Sequence, residues 1–330
     1  MPTKLAPTIE TEYAAAKNGC VLIDSSSRGR LRISGSTRLD FLHRMSTNDL
    51  LKLQIGQGAA TIFATPIARI IDRTMVYVRE NDLIMLTSRD AQAPVMSWLK
   101  KYIFFNDDVQ IVDATQELGM LSVYGPRAPE TFQRVVGIDV SSLGLHHWRS
   151  ANLGEVEVLI ARADSLGTNG FHLIVQADKL SGLRSKLIDA NATPIAEETY
   201  QVLRVEAGQP EYGRELTDEI IPLEANLWPD VSFTKGCYTG QEIIARMESR
   251  QRLAKQLIGL RLESEINLPA RIFADDGDVG SITSIAHSPD RGWLALGYIK
   301  AALAIDDQAV QARAGDRSIA AQVVVLPFKF

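Results

Sequence analysis

The chain has 330 residues, of which 23% are charged and 45% hydrophobic, so a disordered chain and a fibre are excluded. This length is about that of two domains and suffices for at least one large core. With 35 Lys and Arg against 40 Asp and Glu, the net charge is −5, and no overall positive field attracts nucleic acid or anionic lipid. We therefore expect neither DNA nor a membrane among its partners.

The first 190 residues alternate predicted helices with predicted strands, an α+β pattern. An alanine-rich helix at 10–17 is followed by two short strands at 20–23 and 30–33 and by a helix at 37–45. Alternating polarity then predicts a three-stranded meander at 59–63, 69–79 and 83–87. The remaining predicted elements are helices at 91–102, 129–136 and 178–190 and strands at 109–113, 120–124, 156–163 and 171–176.

From residue 255 the pattern changes to short apolar runs separated by turn signals such as Asp275-Asp276-Gly277. This pattern predicts a small all-β module, and we place the domain boundary near residue 250, giving domains 1–250 and 251–330. The runs are 256–262, 271–273, 279–286, 293–299, 309–312 and 320–325.

No stretch of the chain is typical of a membrane span or a targeting segment. The longest stretch without a charged residue, 53–68, is too polar to cross a bilayer as a helix. The first residues lack the pattern of a signal or transit peptide, so we expect a cytoplasmic protein. The two cysteines, Cys20 and Cys237, are too few for a disulfide framework, and each is expected to be a free thiol.

Several common catalytic motifs are absent. The dinucleotide, P-loop, zinc-protease and thioredoxin patterns and the serine nucleophile elbow do not occur. The five histidines have no spacing that suits metal coordination, so no metal site is expected.

The segment 235–246 contains the most informative pattern. Thr239 and Glu242 form a capping box that predicts a helix start. Cys237 then lies just before a helix and beside Lys235, and both features favour a thiolate. Two structural alternatives remain open: Cys237 is a small buried hydrophobe, and Arg246 only pairs with Glu242 one turn away rather than holding an anionic ligand.

The sequence K-G-C-Y-T-G-Q-E at 235–242 resembles the signature of the folate-binding YgfZ-type proteins, which are related to the T-protein (aminomethyltransferase) of the glycine cleavage system. The resemblance continues through most of the chain in the order of that family. The other similar stretches are 24–35, 41–42 with 46–50, 70–72, 203–208 with 212–213, and 222–225.

Three positions depart from the usual transferase pattern. A thiol, Cys237, replaces the acid of K-x-[DE]-F-I-G, and Asp72 is followed by Arg73 where the transferases have paired aspartates. Ser27 stands where a histidine is common. These departures favour the YgfZ branch over the aminomethyltransferase.

The resemblance implies an α+β fold: a T-protein-like folate-binding body of two interlocked subdomains with a central funnel, followed by a small C-terminal β-barrel. It also implies tetrahydrofolate or a folate derivative as the cofactor.

The resemblance assigns Glu206 to the pterin, whose ring nitrogen and amino group are adjacent donors that a carboxylate accepts at the end of a strand or the start of a turn. Read without the resemblance, Glu206 is a surface charge. Tyr212, Trp228 and Phe63 are candidates for an aromatic slot, although each is equally compatible with a core position. The further folate contacts are expected within the signature helix, from Tyr238, Gln241 and Arg246.

Two functions from different classes follow from these residues. In the first, the protein is an accessory factor that binds tetrahydrofolate and transiently assists iron–sulfur cluster assembly or repair in client enzymes, with Cys237 as the working thiol and Lys235 beside it. A single thiol cannot hold a cluster that needs about four. In the second, the protein is a folate-dependent aminomethyltransferase-like or demethylase-like one-carbon enzyme in which Asp72 acts as an electrostatic or basic residue. In a third alternative, the protein has kept the fold of the family but does not bind folate.

Overall fold

The computed structural model describes residues 7–250 and 252–328. Within them the α-helices are α1 (Pro7–Asn18), α2 (Arg38–Met45), α3 (Gln92–Lys100), α4 (Ala128–Val136), α5 (Leu180–Asp189), α6 (Glu197–Glu206) and α7 (Gln241–Arg250). The strands are β1 (Cys20–Asp24), β2 (Arg28–Ser34), β3 (Gly58–Ala64), β4 (Ile70–Val78), β5 (Asp82–Arg89), β6 (Gln110–Asp113), β7 (Leu118–Tyr124), β8 (Trp148–Leu153), β9 (Val156–Ala163), β10 (Gly170–Gln176), β11 (Ala192–Pro194), β12 (Lys255–Leu262), β13 (Ala270–Ala274), β14 (Gly277–Ser288), β15 (Gly292–Lys300), β16 (Ala309–Ala314) and β17 (Arg317–Val324).

Two sheets form the body. The first has the order β3-β4-β5-β2-β6 and is antiparallel throughout, and its β3-β4-β5 part confirms the predicted meander. The second has the order β11-β1-β7-β10-β9-β8, in which only β1 and β11 are parallel. The strands β1 and β2 follow each other in the chain but belong to different sheets. The chain therefore crosses from the second sheet to the first at the turn 25–27, and this crossing connects the two halves of the body.

The two sheets pack face to face over a shared apolar core. Met75 and Tyr77 of the first sheet and Met120 and Ile174 of the second are buried in this cluster. Each sheet covers its other face with helices, α2 and α3 on the first and α4 and α5 on the second. Since alternate residues of a strand point to opposite faces, strands buried on both sides have few exposed positions.

The C-terminal strands close into a barrel with the order β12-β15-β14-β13-β16-β17. Its interior is filled by aliphatic side chains such as Ile258, Ile272 and Val323. The outside of β14 and β15 packs against α6 of the body. The predicted α+β fold with a C-terminal β-barrel is confirmed; the exact division of the chain at residue 250 stays a prediction.

The helix α6 was not predicted from the sequence. Thr199, Tyr200, Val202 and Val205 are β-branched or aromatic and do not favour a helix. The helix forms because it is packed on several sides, against α1 and against the barrel. None of the described helices is long and apolar enough to span a bilayer.

Candidate functional site

A cavity of about 520 Å³ lies where the shared core of the two sheets ends. On β4, Met75 and Tyr77 face the other sheet, and Arg73 lies on the same face two residues before them. On β10, His172 lies two residues before Ile174 and on the same face of the strand. Because these inward positions change from apolar to polar, the packed core gives way here to a polar cavity that both sheets line.

Arg73 lies in the cavity wall and is bound between two carboxylates. Its Nη1 lies 2.8 Å from Oδ2 of Asp164 and its Nε 2.5 Å from Oδ2 of Asp230. Burial disfavours the charge on Arg73, but the two carboxylates outweigh it and raise the pKa of the guanidinium. Burial also opposes ionisation of Asp164, yet the charge of Arg73 lowers its pKa to about 2. The cavity therefore has an ionised carboxylate in its wall at neutral pH.

His172 is a buried neutral imidazole beside this ion cluster. Burial, followed by the charge of Arg28, lowers its pKa to about 3. Its Nδ1 is 3.1 Å from Oγ of Ser122, which in turn lies 2.7 Å from Oγ of Ser25. This arrangement supplies hydrogen bonds to a ligand without adding a positive charge.

Aromatic rings also line the cavity. The rings of Tyr124 and Tyr200 are 6.3 Å apart, and Tyr212 also lines the cavity. The predicted aromatic candidate Tyr212 is therefore placed at the cavity. Phe63 is fully buried against Trp98 in the core behind the first sheet, so its prediction as a slot residue is wrong.

Asp72 lies immediately behind the cavity wall. Its neighbours Arg73 and Thr74 line the cavity, while its own side chain is fully buried. The Ser88 N–H donates to Oδ2 at 2.9 Å, and among the described residues Oδ1 has no hydrogen-bond partner. Burial raises the pKa of Asp72 to about 6. It is thus a proton-binding group next to the cavity rather than a group in it.

Lys235 is a structural cation. Its Nζ donates to the backbone carbonyls of His43, Ser46 (2.7 Å) and Asn48 (3.0 Å), around the end of α2. Burial lowers its pKa to about 8, and the ammonium lies 5.0 Å from the centre of the Tyr238 ring. Because its hydrogen bonds go to these carbonyls, the prediction that it acts on Cys237 has no support in its contacts.

Cys237 is an exposed free thiol on the loop before α7. The alternative of a buried cysteine is therefore wrong. The helix begins at Gln241, where Ile244 N donates to the Gly240 carbonyl at 3.4 Å, and the described residues contain no hydrogen bond of the predicted capping box. Gly240 has φ 85°, and a Cβ there would approach the Thr65 carbonyl oxygen to 2.7 Å, so only glycine suits this turn.

The remaining predicted contacts do not line the cavity. Tyr238 is 8% exposed and belongs to the core around α6. Trp228 is 39% exposed and packs on Phe233, with ring centres 6.0 Å apart. The first residue of α7 is Gln241, and Arg246 is exposed on that helix. The cavity and the signature segment are thus two separate features of the surface.

The prediction for Glu206 requires correction. It is the last residue of α6, not the end of a strand, and it does not line the cavity. Its carboxylate accepts hydrogen bonds from Tyr13 (2.7 Å), Lys17 (2.8 Å) and Ser288, and it is 4% exposed. Because protein donors bind its oxygens, Glu206 joins α1 and the barrel to α6, and these contacts do not support its assignment to a pterin.

The cavity residues that sequence reasoning missed come from separate parts of the chain. Arg28, Asp164 and His172 were not proposed as ligand contacts, because each alone resembles an ordinary polar residue. One signal was available: Arg73 stands on the same face of its strand as the apolar Met75, and His172 on the same face as the apolar Ile174. The lining residues that the sequence did not indicate as site residues include Arg28, Arg73, Tyr124, Asp164, His172 and Tyr200.

Two family models match the chain. The GCVT N-terminal domain matches residues 2–235, and the glycine cleavage T-protein C-terminal barrel domain matches residues 255–329. The first match covers more than half of the chain.

The similar curated proteins include a putative chloroplastic transferase of Arabidopsis thaliana, 31% identical over 287 residues that make up 87% of this chain and 66% of the relative. The chain thus spans less than two thirds of that relative's length. An aminomethyltransferase of Halothermothrix orenii is 26% identical over 99% of this chain and 93% of its own. Another, from Geobacillus kaustophilus, is 27% identical over 99% and 92%.

A solved structure has a similar fold. The crystal structure of glycine cleavage system aminomethyltransferase T from Bartonella henselae superposes with a TM-score of 0.87 at 21% identity, covering 97% of this chain and 89% of that one. At this identity the likeness concerns the fold.

Proposed function

Because the chain belongs to the glycine cleavage T-protein family, we propose that it binds a reduced folate in the cavity between its two sheets. The observation that carries this proposal is the ionised Asp164 held by Arg73 in the wall of a 520 Å³ cavity. Ligand sites of this kind measure about 300–1,000 Å³ and place few polar groups among apolar walls.

The donors and acceptors of the cavity fit a pterin. A pterin presents a ring N–H and an amino group side by side, and a carboxylate accepts both. Asp164 is ionised, and its side chain is 28% exposed, so it has access that Glu206 lacks. The rings of Tyr124 and Tyr200 supply flat apolar surface for the ligand rings. Asp164 therefore takes the role that the family resemblance assigns to Glu206.

We further propose that the protein is of the YgfZ type and assists iron–sulfur cluster assembly or repair in client enzymes. Support comes from the K-G-C-Y-T-G-Q-E segment and from the exposure of its thiol, Cys237. An exposed thiol can reach a cluster or a client protein, whereas a buried thiol such as Cys20 cannot. Since a cluster needs about four ligands, the contact with the client is transient.

An aminomethyltransferase-like activity is the second candidate. The curated relatives named aminomethyltransferase match nearly the whole chain. Asp72, whose pKa is raised to about 6 by burial, has the proton affinity of a general base at neutral pH. Against this candidate, the next residue is Arg73, held in ion pairs with Asp164 and Asp230, where the transferases have a second aspartate.

Calorimetric titration of the purified protein with tetrahydrofolate tests the first proposal. We expect saturable binding, and Asp164→Asn is expected to weaken it about 10- to 100-fold because charge-assisted hydrogen bonds are lost. Asp178→Asn, at an exposed position outside the cavity, is the matched control. Absence of binding to the wild type up to millimolar ligand contradicts folate binding.

The accessory role is tested in cells that lack the protein. Cys237→Ser is expected to keep tetrahydrofolate affinity while failing to restore the activity of iron–sulfur enzymes, and Cys20→Ser, at the buried thiol, serves as the control. Full restoration by Cys237→Ser rejects the working thiol. Aminomethyl transfer that survives in Cys237→Ser but not in Asp72→Asn favours the second candidate.

A further inference from the structure

Arg28 differs from the other arginines that line the cavity. Four of them lie close to a carboxylate: Arg73 with Asp230 at 2.5 Å, Arg89 with Glu197 at 3.3 Å, Arg204 with Glu215 at 3.0 Å, and Arg214 with Glu211 at 3.1 Å. Across residues 7–250 and 252–328, no carboxylate lies within 4.0 Å of the Arg28 guanidinium. Its one side-chain hydrogen bond in this part of the chain is a long one, 3.4 Å from Nε to the Thr87 carbonyl.

The position of Arg28 follows from the crossing between the two sheets. It is the first residue of β2, directly after the turn that connects the sheets, and this turn forms part of the cavity wall. Its charge acts on groups of both sheets and of α6, namely Asp72, Tyr77, Tyr124, His172 and Tyr200. Arg28 lines the cavity, and its side chain is half-buried.

A cation in this position favours an anionic ligand. Partial burial removes water from the guanidinium. The Arg28 charge partly offsets the burial that raises the pKa of the Asp72 carboxyl, but among the described residues no carboxylate is close enough to form an ion pair with Arg28. The free Nη atoms form a planar fork that suits the two oxygens of a carboxylate.

We propose that Arg28 binds a carboxylate group of the cavity's ligand and so selects pterins that carry an acidic tail over pterins that carry none. This inference rests on the proposed folate binding. It assigns Arg28 to the tail of the ligand and Asp164 to its pterin ring, so the two residues make separable contributions to affinity.

The test compares two ligands on the full-length protein, tetrahydrofolate, which carries carboxylates, and tetrahydrobiopterin, which carries none. Arg28→Gln is expected to weaken tetrahydrofolate about 10- to 100-fold, the range of a lost charge-assisted pair, and to change tetrahydrobiopterin less than about twofold. Arg32→Gln is the matched control, because Arg32 lies on the same strand, is paired with Glu117 at 3.1 Å and does not line the cavity.

Three results overturn the inference. Equal losses for both ligands place Arg28 at the pterin ring, and no loss for either makes it a solvated cation. Failure of the wild type to bind either ligand rejects folate binding itself, and the Arg28 assignment with it. If Arg28→Gln does not fold, as judged by thermal unfolding, Arg28→Lys replaces it; this variant keeps the charge but not the fork, and a smaller loss confined to tetrahydrofolate is then expected.

Discussion

Asp72 and His172 are buried titratable side chains on the two facing sheets, and burial shifts their pKa values in opposite directions. It raises the pKa of the Asp72 carboxyl from 3.8 to about 6 and lowers that of the His172 imidazole from 6.5 to about 3. Both side chains are therefore neutral over part of the acidic range, which avoids buried charge. Their effects on the pH dependence of stability oppose each other.

The Asp72 carboxyl binds its proton more tightly in the folded than in the unfolded chain. Its contribution to stability is thus complete below about pH 4 and is lost as the pH rises through about 6. Asp72→Asn removes this loss, so the free energy of unfolding at pH 7 is expected to be unchanged or to rise by up to about 3 kcal/mol. Urea denaturation at pH 4 and pH 7 measures the effect.

The decisive quantity in that experiment is the difference between the two pH values. Because His172 remains in the variant, its stability should fall more steeply than that of the wild type when the pH is lowered from 7 to 4. Asp178→Asn, on the surface, is the control. If Asp72→Asn has the same pH dependence of stability as the wild type, burial does not shift the pKa of the wild-type Asp72 carboxyl.

At the scale of elements, Glu206 and Lys235 are polar residues that hold helices in place. Glu206 connects α6 to Tyr13 and Lys17 of α1 and to Ser288 of β14. Lys235 binds carbonyls at the end of α2, which satisfies groups that a helix end leaves without partners. Both residues belong to stretches that resemble family motifs, and in both cases the contacts are structural.

Glu206→Gln tests this structural role. The amide keeps the shape but loses the charge, so we expect the free energy of unfolding to fall by about 2–3 kcal/mol, with tetrahydrofolate affinity unchanged. Glu10→Gln, exposed on helix α1, which Glu206 contacts, is the control and is expected to change stability by less than about 0.5 kcal/mol. Lost affinity at unchanged stability restores the original assignment of Glu206 to the pterin.

At the scale of the whole molecule, a buried ion pair connects the body with the barrel. Arg204 of α6 donates to Glu215 at 3.0 Å and to Ser284 of β14 at 2.7 Å. Thr283, also on β14, donates to Glu215 at 2.7 Å. Arg204 is 2% exposed and Glu215 fully buried, so removal of either partner leaves a charge in the interior.

Arg204→Met is expected to destabilise the protein by about 3–5 kcal/mol, because Glu215 then has no cation. The double variant Arg204→Met, Glu215→Gln removes the uncompensated charge and should recover part of this loss. Scanning calorimetry measures both, and a split into two transitions indicates that body and barrel have become less coupled. If the free energy of unfolding of the single variant falls by less than about 1 kcal/mol, the ion pair is not essential to the contact between body and barrel.

The sequence alone determined the α+β pattern, the meander and an all-β C-terminal module, because alternating polarity and turn residues are local signals that survive in the folded chain. That this module is a barrel followed from the family resemblance. It also pointed to the signature segment that contains Cys237, whose exposure only the structure decided. Only the tertiary structure decided which residues share the cavity: Arg28, Arg73, Asp164 and His172 are far apart in the chain and meet where two sheets face each other. It also decided that the Glu206 carboxylate is taken by Tyr13, Lys17 and Ser288, since a hydrogen-bond partner more than 80 residues away leaves no mark on local pattern.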